Sequence, residues 1–144
     1  MTDDVRPGPA SPAPAEPPSK DHYSDRALDH LTRPRNPGTL AGPSGTGSDA
    51  NPSCGDRTTI TLRVSDGRLA ELRFRTFGCT AAIASASVLT ELASGLSVED
   101  AARIEPADVL NALGGLPARK EACALMAVGA LRAALVDARV RTSP

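Results

Sequence analysis

The sequence predicts an α+β domain with helices packed on a small antiparallel sheet, and three features carry that reading. A strict apolar–polar alternation begins at Thr58, a second extended stretch follows a Gly-containing turn, and the second half is rich in Ala and broken by helix-stop signals. At 144 residues the chain suits one ordinary domain rather than two. With no Trp, one Tyr and two Phe, its core has to come from Ala, Leu, Val and Ile, which favours closely packed helices. The formal charge is -1 with both signs interspersed, so neither nucleic acid nor an anionic membrane is an expected partner. No apolar run is long enough to span a bilayer and the N-terminus lacks the blocks of a secretory signal, so a cytoplasmic location is expected.

Residues 1–20 are a Pro, Ala and Ser mixture with little to bury, and read as a disordered tail; residues 21–144 then form the domain. Ser24 caps a short helix bearing Leu28 and Leu31, which Pro34 must end. Residues 34–53 read mostly as loop. The first strand places Ile60, Leu62 and Val64 on one face, with Thr59, Thr61, Arg63 and Ser65 on the other. Its partner runs from about Leu69 to Thr76. A two-residue Asp66-Gly67 turn would put Glu71 and Arg73 on the apolar face, so parity favours a three-residue turn, Ser65-Asp66-Gly67, pairing Leu62 with Ala70. Phe74 and Phe77 are expected in the core. Ile83, Val88, Leu89 and Leu92 suit a helix that Gly95 stops; Ser97 with Asp100, and Pro106, open two short ones. A last helix from near Pro117 to about Arg139 should bury Leu125, Val128, Leu131, Ala134 and Leu135, leaving Lys120 and several arginines outside.

Three cysteines in a reducing compartment argue against a disulfide framework and leave metal binding, catalysis or plain packing. Cys54 and Asp56 are two apart in extended backbone and point the same way. Cys79 lies between a strand and a helix N-terminus, where the dipole favours a thiolate. Cys123, early in the last helix, can return a third sulfur to the same end of the domain. Thiolate-rich sites select zinc, copper(I) or iron-sulfur clusters, and one carboxylate among the sulfurs makes a more labile set. On residues alone, a metal site and packed or catalytic cysteines stand about level. The histidines add no ligand: His30 reads as a helix-end packing or hydrogen-bonding residue and His22 as solvated, while Tyr23 packs the short helix.

Residues 23 to about 139 resemble the NifU/IscU-type iron-sulfur cluster assembly scaffold family. The matching motifs are Tyr23-Ser24, Asp29-His30, Pro34-Arg35-Asn36 with Gly38, Cys54-Gly55-Asp56, Phe77-Gly78-Cys79 followed by Ala82-Ile83-Ala84-Ser85, and Leu116-Pro117 with Lys120 and Cys123. The resemblance implies a three-stranded antiparallel sheet with helices on one face, adding a strand over residues 46–52 that composition does not suggest. It implies that Cys54, Asp56, Cys79 and Cys123 hold a transient [2Fe-2S] cluster, or zinc in its place. It also implies a scaffold rather than an enzyme, taking iron and the sulfur of a cysteine desulfurase and passing clusters to apo-proteins, as a monomer or weak homodimer.

Two positions depart from the family pattern. The residue before the last Cys is usually His and here is Ala122. The chaperone-recognition stretch, usually Leu-Pro-Pro-Val-Lys, is here Leu116-Pro117-Ala118-Arg119-Lys120, which argues against recognition by an Hsp70-type chaperone. The uninterrupted interval from Cys79 to Cys123 favours the scaffold over the zinc-binding sulfur acceptor or desulfurase regulator, the alternative for the same thiolates. A thiol enzyme with Cys79 as nucleophile is the weakest reading, for want of a nearby His base.

Overall fold

Inward-facing positions at every second residue give the first long strand its apolar side: Ile60 and Leu62 are fully buried. The computed structural model describes residues 23–51 and 55–142. The tail, His22 and Cys54 lie outside the described residues. The elements are α1 (Asp25–Thr32), β1 (Gly45–Asn51), β2 (Asp56–Ser65), β3 (Arg68–Phe77), α2 (Thr80–Ala93), α3 (Val98–Ala102), α4 (Pro106–Ala112), a 3₁₀ turn (Ala118–Lys120) and α5 (Ala122–Thr142). The sheet is antiparallel in the order β1-β2-β3. One face is covered by α5 over β1 and β2 and by α2 over β3.

The β2–β3 turn resolves the parity problem differently from the sequence expectation. Asp66 and Gly67 both have positive φ (54° and 75°), a two-residue turn with Ser65 opposite Arg68 and Val64 opposite Leu69. The register then shifts, Arg63 facing Glu71 and Leu62 facing Leu72, so Ala70 is the extra residue of a bulge. Leu69 and Leu72 both reach the core this way. Glu71 goes to the outer face, where it meets Arg63 at 3.0 Å and Arg73 at 2.8 Å. Phe77, expected in the core, is 80% exposed because it falls on that same outer face.

The strand over 45–51, implied by the resemblance, forms where composition suggested loop. Its glycines are the reason. A Cβ on Gly47 would land on the backbone of α5 at Ala130 and Ala134, and one on Gly45 would strike Ala134 and Ala138. Without side chains, β1 lies directly on the small-residue ridge of α5, whose Ala130, Ala134 and Ala138 are buried. Val128, Leu131 and Leu135 are buried as expected, but Leu125 is 60% exposed. Ala124 and Ala127, not Leu125, continue the buried stripe towards the N-terminus. The helix also starts later than expected, after the 3₁₀ turn.

Ser24 caps α1, its Oγ accepting from Ala27 N–H at 3.0 Å and donating to the Leu113 carbonyl. The buried face of α1 is Ala27 and His30, while Leu28 is exposed. The Ser87 hydroxyl accepts from Arg35 N–H (2.8 Å) and lies 2.7 Å from His30 Nδ1, while the Glu91 carboxylate, which can only accept, faces Nε2 at 3.3 Å and assigns the ring proton there. His30 is thus a hydrogen-bonded packing residue. Asn36, at φ 62°, accepts from Phe74 N–H at 3.0 Å, and Gly38 N–H donates back to the Phe74 carbonyl at 2.7 Å. The motif Pro34-Arg35-Asn36 with Gly38 therefore straps α2 to the edge of β3.

Candidate metal centre

Three separated segments end at one place. Asp56 opens β2 on the face that carries Thr58, Ile60 and Leu62 inward. Cys79 follows β3 as the N-cap of α2, its sulfur unused in capping. Cys123 is the second residue of α5, 3% exposed. One ligand atom from each of Asp56, Cys79 and Cys123 lies within 4.8 Å of the others. The two sulfurs are 3.7 Å apart, too far for a disulfide and close to the roughly 3.8 Å between two thiolates on one tetrahedral zinc. Cys54, the fourth expected ligand, lies outside the described residues, as does its geometry.

The electrostatics of the cluster are unbalanced. Asp56 is buried, and its Oδ2 has no hydrogen-bond partner among the described residues. Such an orphaned carboxylate oxygen costs free energy unless a cation or donor meets it. Burial, then the charge and hydrogen bond of Cys79 and the charge of Asp56, push the Cys123 thiol up to about 12. Lys120, expected outside, is half-buried beside Cys79. Burial alone would lower its pKa, but the Cys79 charge and hydrogen bond, with Tyr23, outweigh burial and raise it. Lys120 is the cation beside the sulfurs, and a metal cation would supply the partner that Asp56 Oδ2 lacks among the described residues.

The sequence singled out the liganding types but missed what surrounds them. Gly78 has φ 155°, and a Cβ there would lie 2.6 Å from Asp56 Cγ, so glycine makes the space the carboxylate occupies. Tyr23 and Leu116 pack against a small apolar cluster formed by Ala81, Ala82, Cys123 and Met126, walling the inner side of the site. Ala122, in the place of the usual His, is exposed at the first residue of α5. Among the described residues no helix is long and apolar enough to cross a membrane.

Two cysteine sulfurs and a carboxylate gathered at one end of a helix-covered three-stranded sheet define a class of small domain whose side chains could hold a metal ion. Comparison with known proteins makes the class particular: residues 22–143 match the NifU-like N terminal domain model, and the chain belongs to that family. It is 47% identical over 115 residues to "Iron-sulfur cluster assembly scaffold protein IscU 1" of Archaeoglobus fulgidus, covering 80% of this chain and 75% of that one. It is 38% identical over 117 residues to the IscU scaffold protein of Aquifex aeolicus, covering 80% and 74%. A crystal structure of the N-terminal part of a nitrogen-fixing NifU-like protein from Brucella abortus shares the fold, with TM-score 0.69 at 18% identity over 81% of this chain and 94% of that one.

Proposed function

We propose that this protein is a scaffold on which iron-sulfur clusters are assembled and from which they are transferred, with Cys54, Asp56, Cys79 and Cys123 holding the cargo. The observation that carries this reading is the buried, unpartnered Asp56 Oδ2 beside two free sulfurs 3.7 Å apart. The names of its relatives support the scaffold role. Four ligands, two for each iron, match the needs of a [2Fe-2S] cluster, and one hard oxygen among three sulfurs makes that cluster releasable.

Of the two described cysteines, Cys79 is half-buried and Cys123 nearly closed, so Cys79 is the more accessible sulfur acceptor. Its thiolate attacks the terminal sulfur of a desulfurase persulfide; the donor S–S bond breaks, the desulfurase cysteine leaves as thiolate, and Cys79 carries the persulfide. Two electrons from an external reductant then release sulfide to iron. Nothing is turned over, so the protein is a carrier rather than an enzyme, and its partners are a cysteine desulfurase in the cytoplasm and recipient apo-proteins. The sulfur separation also suits zinc, which would occupy the same ligands in the cluster-free protein.

Anaerobic reconstitution with iron and sulfide tests the reading. The expected result is a visible charge-transfer chromophore with two irons and two sulfides per site, lost when any one of the three cysteines becomes Ser. Tight zinc that iron and sulfide cannot displace, with no chromophore, would overturn it in favour of a zinc-holding sulfur acceptor.

A further inference from the structure

Near the end of β3 that leads into Cys79, a groove of about 540 Å³ runs round the outer edge of the sheet, from the outward-facing side of β2 and β3 to Ile83 of α2. Pro34, Pro37, Arg57, Arg75, Phe77 and Ile83 are among its lining residues. Phe77 is 80% exposed and stands directly opposite Arg57 across the β2–β3 ladder, with Arg75 opposite Thr59. Arg57 and Arg75 are thus diagonal neighbours flanking the ring on one face. They differ from the other arginines of that face. Arg63 and Arg73 are neutralised by Glu71, whereas neither Arg57 nor Arg75 meets a carboxylate among the described residues.

The backbone beside this patch is also open. Phe74 spends its N–H and C=O on Asn36 and Gly38 at the outer edge of β3. Alternation along an antiparallel strand turns the N–H and C=O of Thr76 outward as well, past the end of that strap. A short free edge, two unneutralised guanidinium groups and an exposed aromatic ring therefore share one groove, whose chain runs directly into Gly78 and Cys79.

We propose that this groove docks an extended acidic segment of another polypeptide, pairing its backbone with Thr76, its carboxylates with Arg57 and Arg75, and an apolar side chain with Phe77. Charge selects the occupant: a neutral or basic strand would leave both guanidinium groups unmatched. Docking there would bring the partner to the lip of the metal site without occupying it, since none of Asp56, Cys79 and Cys123 lines the groove. The inference needs no cluster, so it stands or falls separately from the assembly reading.

The test is fluorescence anisotropy of the metal-free full chain with a short labelled peptide of alternating Glu and Leu, and its Gln/Leu counterpart as control. Saturable binding to the Glu/Leu peptide is expected, weakened by added salt, by Phe77→Ala, and about tenfold by Arg57→Gln/Arg75→Gln. The Arg57→Glu/Arg75→Glu variant should instead prefer a Lys/Leu peptide, which shows that a loss in the Gln variant is not misfolding. No saturable binding, equal binding of the Gln/Leu control, or unchanged affinity in the Gln variant would overturn the proposal. Self-association abolished by the same substitutions, with the peptide unable to compete, would overturn it in favour of a second copy of this chain.

Discussion

Asp56 and Gly78 occupy complementary space, since a Cβ at residue 78 would sit 2.6 Å from Asp56 Cγ and 2.8 Å from its Oδ1. In Phe77-Gly78-Cys79 the glycine thus makes room for the carboxylate on the neighbouring strand. Gly78→Ala should destabilise the metal-free protein by about 1–3 kcal/mol, through this clash and the φ of 155°. Part of that loss should vanish in the Asp56→Ala background. A double-mutant cycle by urea denaturation checks it, and simple additivity of the two changes would rule out the contact.

Asp56→Ala alone should leave the metal-free fold as stable or slightly more so, because it removes a buried oxygen without a partner. The reconstituted cluster should then decay more slowly and pass to an acceptor apo-protein more slowly, since a harder ligand has been withdrawn from a sulfur-rich set. Cluster absorbance over time, with and without the acceptor, reads both effects. Unchanged lifetime and transfer would reduce Asp56 to a residue of the strand entrance.

Cys79 and Cys123 should differ sharply towards iodoacetamide in the metal-free protein. Cys123 is 3% exposed and its thiol is pushed up to about 12 by burial first and the Cys79 charge second. At pH 8 Cys123 is then almost wholly thiol and is closed to reagent as well, so Cys79 should be modified at least about tenfold faster. Peptide mass spectrometry after timed quenching distinguishes the two. The same raised value gives the fold an alkaline limit: Cys123 contributes stability fully present below its ordinary value of 9.0, lost as pH climbs towards 12. Cys123→Ala should flatten that loss.

His30 governs the acid side. Burial, then the Arg35 charge, lower its pKa below the ordinary 6.5, against opposing pulls from Glu91 and Asp29. A histidine with a depressed folded value contributes stability that is present above 6.5 and is lost as pH falls towards the folded value. Urea midpoints of the metal-free protein should therefore drop as pH falls below 6.5, and His30→Gln should remove most of that slope. Asp29, held at about 2 by its hydrogen bonds to Arg35 and Arg33, acts only at lower pH, below 3.8.

What the sequence made legible was whatever repeats at a fixed period or carries distinctive chemistry. Alternation located β2 and β3, the Ser24 and Pro106 signals located helix starts, and the residue types of Asp56, Cys79 and Cys123 marked the site. Cys54, of the same pattern, lies outside the described residues. The misses share a cause. A bulge at Ala70 changes parity within the strand, so no argument from turn length alone could put both Leu69 and Leu72 inside. Gly45 and Gly47 look like loop because they lack side chains, yet that lack is what admits them beside α5. Leu125 is apolar but turned outward, and Lys120 is charged but drawn inward by Cys79. In each case a contact distant in sequence decided the outcome.

The glycine seam between β1 and α5 has a consequence at the far end of that helix. Gly45, Gly47 and Gly129 lock against Ala134, Ala138 and Asp49 like wards in a key, so α5 has one permitted position along its own axis. Cys123 rides on the same rigid rod, seven residues before Ala130 and eleven before Ala134, at about 1.5 Å of rise per residue. A slip by one turn would carry it about 5.4 Å, more than the 4.8 Å within which its sulfur, Cys79 and Asp56 now gather. The height of the Cys123 sulfur is thus set by the missing side chains farther along the same helix and its strand.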